Sequence, residues 1–300
     1  MKRAHSVYPD DFEINATLYA FYKLYQPKNP ELAFRHNLAC LAIQPDNPGL
    51  LINLTKLYML LGDNETAIEV GNRMIEIVPD FPQGYNNVGI ALSNLGKIEE
   101  AIGYYERANE VAPDFDISYA NLAIAQGRLG RGQEAVKTMR KAVECKPKQA
   151  RYHVALGKLL FQIGETEKAE QAARHALKLE PQNFSALQSI TQQLRHRQEF
   201  DEAIEFHKLQ VKFHEDKTDS WASYAETLFA AKRYEEAEEL IDGPFRSHFQ
   251  PRYADILARS QMAQGKVKEA IATLELQIKK QPNSPAAFEL LEKYQKEADF

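Results

Sequence analysis

The sequence predicts an all-α fold, a right-handed α-solenoid of stacked antiparallel helix pairs. The first support is an internal repeat, because the chain aligns with itself when it is shifted by 34 residues. Repeats of about 20 to 50 residues are the signature of solenoids and related arrays. The second support is that small or helix-ending residues recur at fixed positions of the repeat. Glycine recurs at Gly62, Gly96, Gly130 and Gly164, alanine at Ala33, Ala67, Ala101, Ala135, Ala169, Ala203 and Ala237, and proline at Pro45, Pro79, Pro113, Pro147 and Pro181.

The repeat at residues 82–115 explains why each half of the unit should be helical. Apolar residues from Tyr85 to Leu92 recur at helical spacing and mark the buried face of a first helix. Gly96 ends that helix, since glycine readily adopts the left-handed conformation that follows a helix C-terminus. Pro113 ends the second helix, because proline lacks the backbone N–H and clashes with the preceding turn. One such pair cannot bury its apolar faces alone, so successive pairs are expected to stack.

The same repeat resembles the tetratricopeptide repeat family, whose pattern is W-x2-L-G-x2-Y, then A-x3-F, then P. Here the pattern reads Tyr85-x2-Val88-Gly89-x2-Leu92, then Ala101-x3-Tyr105, then Ala108 and Pro113. The recurring columns extend the resemblance over nearly all of the chain. The resemblance implies that the first helices line a concave groove, where members of the family hold peptides or partner proteins.

Taken in order, the chain is expected to contain a lead-in, about eight repeats and a last helix. Residues 1–13 are polar and form the lead-in. The expected repeats are 14–47, 48–81, 82–115, 116–149, 150–183, 184–217, 218–250 and 251–284, followed by a capping helix at 285–300. Within 218–250, Gly243 and Pro244 are expected to end the second helix early, and the segment after them is not expected to be helical.

Composition and charge exclude several classes of protein. The chain is 44% hydrophobic and 26% charged, as folded chains usually are, and its net charge of −5 argues against a nucleic-acid partner. No apolar signal segment and no run of about 18 apolar residues occurs, so membrane insertion is not predicted. Cys40 and Cys145 fall on second helices, and thiols in a reducing compartment are preferred over a disulfide or metal pair. The expected location is the cytoplasm.

No catalytic motif is present, so the sequence predicts neither an enzyme nor a bound cofactor or metal. It has no Gly-rich phosphate loop, CxxC, HExxH or GxSxG. His207 and His214 are seven residues apart with Glu215 beside the second, which leaves a metal site as an alternative to a core histidine and a solvated one. Arg195 and Arg197 flank a histidine at the end of a first helix, where a small anion site is the alternative to a solvated helix end.

A row of asparagines is the main candidate for ligand binding. The resemblance implies that the second, fifth, sixth, ninth, twelfth and thirteenth residues of each repeat face the groove. The sixth position gives Asn53, Asn87 and Asn121, one repeat apart. A carboxamide donates and accepts hydrogen bonds, so such a ladder suits the backbone of an extended peptide. It resembles the asparagine ladder in the repeat domain of O-linked N-acetylglucosamine transferases. The alternative is that these amides only bond neighbouring helices.

The charges at the other groove positions favour an acidic ligand. From residue 48 to 217 these positions contain no Asp or Glu. The remaining candidate residues are Asn86, Lys56, Arg128, Arg151, Lys158 and Arg195. We therefore expect a non-catalytic scaffold that binds an extended, acidic peptide or partner protein in the groove. The alternative is a substrate-recruiting arm of a glycosyltransferase-like enzyme whose catalytic part lies on another chain or segment, and self-association is a further option.

Overall fold

The computed structural model describes residues 15–16, 30–214, 218–247 and 250–298, and this part of the chain is all α. It contains no strand and sixteen helices of thirteen or fourteen residues. In chain order they are α1 (Pro30–Ile43), α2 (Pro48–Leu60), α3 (Asn64–Ile77), α4 (Pro82–Asn94), α5 (Ile98–Val111), α6 (Asp116–Arg128), α7 (Gly132–Cys145), α8 (Ala150–Gln162), α9 (Thr166–Leu179), α10 (Phe184–His196), α11 (Phe200–Phe213), α12 (Thr218–Ala230), α13 (Tyr234–Ser247), α14 (Pro251–Ala263), α15 (Val267–Lys280) and α16 (Pro285–Ala298). The predicted all-α solenoid of helix pairs is confirmed.

The chain divides into two compact units, Met1–Gly164 and Glu165–Phe300. Unit 1 contains α1 to α8 and unit 2 contains α9 to α16. Within each unit every helix packs on the next one along the chain. The even-numbered helices α2 to α14 are the first helices of the repeats, and the odd-numbered helices are the second ones. The predicted lead-in at 1–13 lies outside the described residues, as does most of the first helix expected in 14–47.

The packing of α4 against α5 shows why the recurring small residues are needed. Ala101 is fully buried between the helices, and Tyr105 is 2% exposed. The ring of Tyr105 lies over Gly89, where an added Cβ would be 2.6 Å from the ring carbon Cε1. Val88 and Leu92 complete this core. The first and second helices of a repeat therefore approach closely because the contact residues are small.

In unit 2 the turn between the first and second helices of a repeat has a positive φ even in two repeats that lack the recurring glycine. Gly265 has a φ of +77° after α14, and the four matching glycines of unit 1 have φ values from +76° to +85°. Gln198 and Lys232 take its place after α10 and α12, with φ values of 62° and 61°. A residue with a side chain is strained in this region, by roughly 1–2 kcal/mol. Stacking of the helix pairs therefore imposes the turn even where the residue type opposes it.

Helix α13 corrects one expectation. It was expected to end near Gly243 and Pro244, but it continues to Ser247. A proline removes one backbone N–H and so costs the helix one hydrogen bond without preventing the turns on either side. Ala237 and Ile241 on the same helix are fully buried. Their packing holds the helix in place despite the unfavourable sequence.

Within the described residues, no helix has the length and apolar character needed to cross a membrane.

Candidate peptide-binding face

The predicted groove residues of unit 1 lie on consecutive first helices. Helices α2, α4, α6 and α8 contact one another in turn, because each repeat stacks on the one before it. We call the side of these helices that carries the predicted groove residues the first-helix face. The charged candidates Lys56, Arg128, Arg151 and Lys158 are exposed there. Among the amides, Asn53 and Asn121 are half-buried, whereas Asn86 and Asn87 are only 4% exposed.

The asparagines at the sixth repeat position do not have equivalent surroundings. The Asn121 amide donates to Asn86 Oδ1 over 2.9 Å, which ties α6 to α4. The Nδ2 atom of Asn87 is buried and has no hydrogen-bond partner in the described part of the chain. Asn53, by contrast, is half-buried and makes no hydrogen bond to another described residue. Identical spacing in the sequence thus gives three different environments, and one of the amides bonds a neighbouring helix.

Arg128 is held in position by the preceding first helix. Its Nη1 donates to Ser93 Oγ over 2.9 Å and lies 3.4 Å from the Ser93 carbonyl oxygen. The ring of Tyr105 is buried beneath this region, and burial raises the pKa of Tyr105 to about 12 despite the opposing effects of Ser93 and Arg128. The phenol is therefore neutral, so the charge of Arg128 is not offset by it. A fixed guanidinium is well suited to bind a carboxylate with two hydrogen bonds.

Arg151 stacks on an aromatic ring beside the one carboxylate that approaches it. Its guanidinium carbon is 4.8 Å from the ring centroid of Tyr152, and its Nη2 is 2.9 Å from the Tyr152 hydroxyl. That hydroxyl donates to Asp116, whose Oδ2 is 3.9 Å from Arg151 Nη2. Burial, followed by the bond to Asp116, raises the pKa of Tyr152 to about 12. Sequence reasoning missed Asp116 because it opens its repeat, outside the positions assigned to the groove.

Lys158 differs from Arg151, since it makes no ion pair with any described residue. It is exposed on α8, two turns beyond Arg151. Two isoleucines between the cations are also exposed, Ile117 by 39% and Ile124 by 49%. The first-helix face of unit 1 therefore combines cations, an available amide and apolar side chains.

Arg195 in unit 2 is engaged by a carboxylate. Its Nη1 and Nη2 lie 3.1 Å from Ser223 Oγ and 3.3 Å from Glu226 Oε2. Arg252 Nε donates to the other oxygen of Glu226 over 2.8 Å. Burial alone would raise the pKa of Glu226, but the two arginines outweigh it and the pKa is lowered. The carboxylate is thus ionised and offsets much of the positive charge of Arg195. Arg197, its neighbour in the proposed anion site, also contacts carboxylates, at 2.5 Å from Glu170 and 2.7 Å from Glu199.

His207 occupies the core of unit 2. It is fully buried, stacks on Tyr224 at 5.6 Å and places Nε2 2.9 Å from Thr227 Oγ1. Burial is the main reason that its pKa is lowered to about 4. His214 contacts the backbone instead, with Nε2 2.7 Å from the Gln182 carbonyl oxygen. Within the described residues no group of three potential metal ligands comes together, and Glu215 lies outside them. Among the described residues neither cysteine forms a disulfide; Cys40 is buried and Cys145 is half-buried.

Comparison with family models finds a known repeat in two parts of the chain. A family model described as tetratricopeptide repeat matches residues 88–150 and 120–184, and a second model with that description matches 256–284. A search of curated proteins by sequence finds no significant match.

Solved structures share the fold at low sequence identity. PilF from Pseudomonas aeruginosa aligns with a TM-score of 0.60 at 16% identity, over 71% of this chain and 97% of that one. A tetratricopeptide repeat protein from Parabacteroides merdae gives 0.56 at 18% identity, over 83% and 98%. The crystal structure of the APC/C hetero-tetramer Cut9–Hcn1 gives 0.57 at 16% identity, over 87% of this chain. In that last comparison the chain spans 52% of the matched chain.

Proposed function

We propose that the chain is a non-catalytic scaffold that binds an extended acidic peptide segment of a partner protein. The proposal is supported by the two parts of the chain that match models of the tetratricopeptide repeat. Tetratricopeptide repeat proteins generally mediate protein–protein interaction, and the repeats typically form scaffolds without catalytic activity. The binding surface in our proposal is the first-helix face of unit 1. We also propose a cytoplasmic location, supported by a sequence with only two cysteines, which form no disulfide with each other.

The proposal of an acidic ligand rests on the charges of the first-helix face. Lys56, Arg128, Arg151 and Lys158 are exposed on first helices whose other groove positions contain no carboxylate, although the chain as a whole has a net charge of −5. A surface of one sign attracts ligands of the opposite sign and excludes those of the same sign. Asp116 offsets part of the charge of Arg151, whereas Lys158 has no such partner in the described part of the chain.

The uncharged residues of the same face support an extended backbone with some apolar side chains. Asn53 has a half-buried amide without a partner among the described residues, so it can bond a peptide group. Ile117 and Ile124 offer exposed apolar surface between the cations. The ligand that fits these groups is a peptide in which acidic and apolar residues alternate.

The test is calorimetric titration of a capped peptide of about ten residues that alternates Glu and Leu, compared with its Gln-for-Glu analogue. The double variant Arg151→Glu with Lys158→Glu should weaken binding of the Glu peptide roughly tenfold, because two attractive pairs become repulsive. Binding of the Gln peptide should change little. The matched control is Arg140→Glu with Lys148→Glu, which makes the same change of net charge at exposed positions outside the groove set.

Equal losses of affinity in the two double variants would mean that binding of the Glu peptide depends only on the net charge of the protein. If neither double variant lost affinity for the Glu peptide, the peptide would bind at another site or would not be selected for its acidic residues. Either result would refute the proposed ligand class on this face.

A further inference from the structure

A pocket of about 490 Å³ opens among α5, α6 and α7, away from the predicted groove residues. Tyr119 and Leu122 of α6 form its apolar wall. Its remaining wall residues come largely from the second helices α5 and α7. We call this site the side pocket of unit 1. None of its lining residues belongs to the first-helix face, so a ligand bound here would not compete directly with one bound there.

Two buried side-chain amides in this pocket lack hydrogen-bond partners. Asn109 is 9% exposed and Gln126 is 7% exposed, and both line the pocket. The Nδ2 atom of Asn109 and the Oε1 atom of Gln126 have no partner in the described part of the chain. Asn109 is fixed at its other end, since its Oδ1 contacts the Ser118 hydroxyl. Buried polar groups in native proteins are nearly always satisfied, so a donor and an acceptor left together in one pocket require an explanation.

The matching place in unit 2 shows how this repeat position can be satisfied internally. Gln261 is the eleventh residue of its repeat, as Gln126 is of its own. Its Nε2 donates to Glu238 Oε1 over 3.2 Å, and its Oε1 accepts from Thr273 Oγ1 over 2.9 Å. In unit 1 the repeat position of Glu238 is occupied by Ile102, a buried apolar residue that cannot accept a hydrogen bond. Unit 2 also has a pocket here, of about 630 Å³, but its Gln261 amide is bonded by neighbouring side chains, whereas the pocket of unit 1 leaves its amides unpaired.

We propose that the side pocket of unit 1 is a second peptide-binding site, in which one peptide group of a partner segment bonds both amides. Both unpaired amide atoms are enclosed, so the two side chains must turn toward the pocket when the peptide binds. The peptide carbonyl then accepts from Asn109 Nδ2, and the peptide N–H donates to Gln126 Oε1. Because a peptide group has one donor and one acceptor, it satisfies both amides at once. Neither a lone carboxylate nor a lone ammonium group does so.

The rim of the pocket indicates the residues that flank this peptide group. On the α7 side two lysines, Lys137 and Lys141, outnumber one carboxylate, Glu134. The Lys141 ammonium lies 5.4 Å from the ring centroid of Tyr119. Glu106 and Glu110 line the α5 side. The segment that fits has a basic side chain toward α5 and an acidic one toward α7. This charge pattern differs from that of the ligand proposed for the first-helix face, whose charged residues are all acidic.

The test uses the full chain labelled with ¹⁵N and the capped tripeptide acetyl-Lys-Gly-Glu-amide. Titration should shift the side-chain amide resonances of Asn109 and Gln126 in a saturable way, while the amide of Gln261 serves as the internal reference and stays unchanged. An analogue with an ester oxygen in place of the glycine N–H removes the donor to Gln126. It should bind roughly fivefold more weakly, the loss expected for one neutral hydrogen bond.

Two variants separate binding from stability. Gln126→Met keeps the length of the side chain and removes the acceptor, so it should weaken the tripeptide roughly fivefold without lowering the melting temperature. Gln261→Met is the matched control, and it should lower the melting temperature because it breaks bonds to Glu238 and Thr273, while leaving tripeptide binding unchanged.

Three results would overturn the inference. The first is the absence of any shift at Asn109 and Gln126 up to about 50 mM tripeptide, a concentration that detects even very weak binding. The second is unchanged affinity of Gln126→Met for the tripeptide, which would show that the Gln126 amide does not bind it. The third is a response centred on Asn53 and Asn121, which would assign the tripeptide to the first-helix face.

Discussion

At the scale of single residues, His207 links the stability of unit 2 to pH. The ring is fully buried, and its neutral form bonds Thr227 and stacks on Tyr224. Burial and then the charge of Arg195 lower its pKa from 6.5 to about 4. In this window the unfolded chain binds a proton that the folded chain does not. The contribution of His207 is therefore complete above pH 6.5 and is lost progressively as the pH falls toward 4.

Replacing His207 should remove this part of the acid sensitivity. The pKa difference corresponds to roughly 3 kcal/mol at most, so the wild type should lose up to that much more unfolding free energy than His207→Gln between pH 7 and pH 4. Urea unfolding at a series of pH values, followed by circular dichroism, measures the difference. His214→Gln is the control, because it removes a histidine whose contacts are to the Gln182 carbonyl oxygen and the Phe184 ring and not to the partners of His207. Parallel curves for wild type and His207→Gln would contradict the prediction.

The asparagines show what residue spacing can and cannot predict. The periodic pattern placed Asn53, Asn87 and Asn121 at one repeat position, and the structure has each of them on a first helix. Their exposure and bonding differ because these depend on the residues that each amide meets on adjacent helices. Asn121 reaches Asn86, which only three-dimensional packing brings within 2.9 Å.

At the scale of helices, the repeat pattern was sufficient to predict the pairs and their order. Glycine and proline columns mark where helices end because they act through the local backbone. The pattern was not sufficient at Gln198, Lys232 and α13, where packing between repeats decides the conformation. Local signals thus predict the elements, whereas exceptions to those signals are settled by burial of the stacked faces.

Two glycines in one helix pair should respond oppositely to the same substitution. At Gly89 an added Cβ meets the buried ring of Tyr105 at 2.6 Å, so Gly89→Ala should destabilise the chain by roughly 1–3 kcal/mol despite the better helix propensity of alanine. At Gly103 nothing lies within 4 Å, so Gly103→Ala should stabilise α5 by about 0.5–1 kcal/mol. Urea unfolding at neutral pH measures both changes. If both variants were stabilised alike, close packing of Tyr105 would not require a glycine at position 89.

At the scale of the whole molecule, the charge is unevenly distributed. The chain has 42 acidic and 37 basic residues, yet the groove positions from 48 to 217 contain only the basic kind. Paired second-helix residues such as Arg107 with Glu110 neutralise one another locally. Lys158 makes no ion pair with a described residue, so its field stays available to a ligand. At an exposed surface that field is sensitive to dissolved salt.

The salt dependence of the affinity should therefore distinguish the contribution of charge to peptide binding from that of apolar contact. Raising NaCl from about 0.05 M to about 0.5 M shortens the Debye length to a few ångströms and should weaken the Glu–Leu peptide roughly tenfold, because side chains such as that of Arg151, 58% exposed, are well screened. The Gln–Leu analogue should lose little affinity over the same range, since salt does not weaken apolar burial. Ile124→Ser provides the converse control, because it removes apolar contact from the same face and should weaken both peptides equally at every salt concentration. Calorimetric titration at four salt concentrations gives the slopes. If the two peptides had the same slope, the cations would not select the ligand, and contact with the isoleucines would be the main source of affinity.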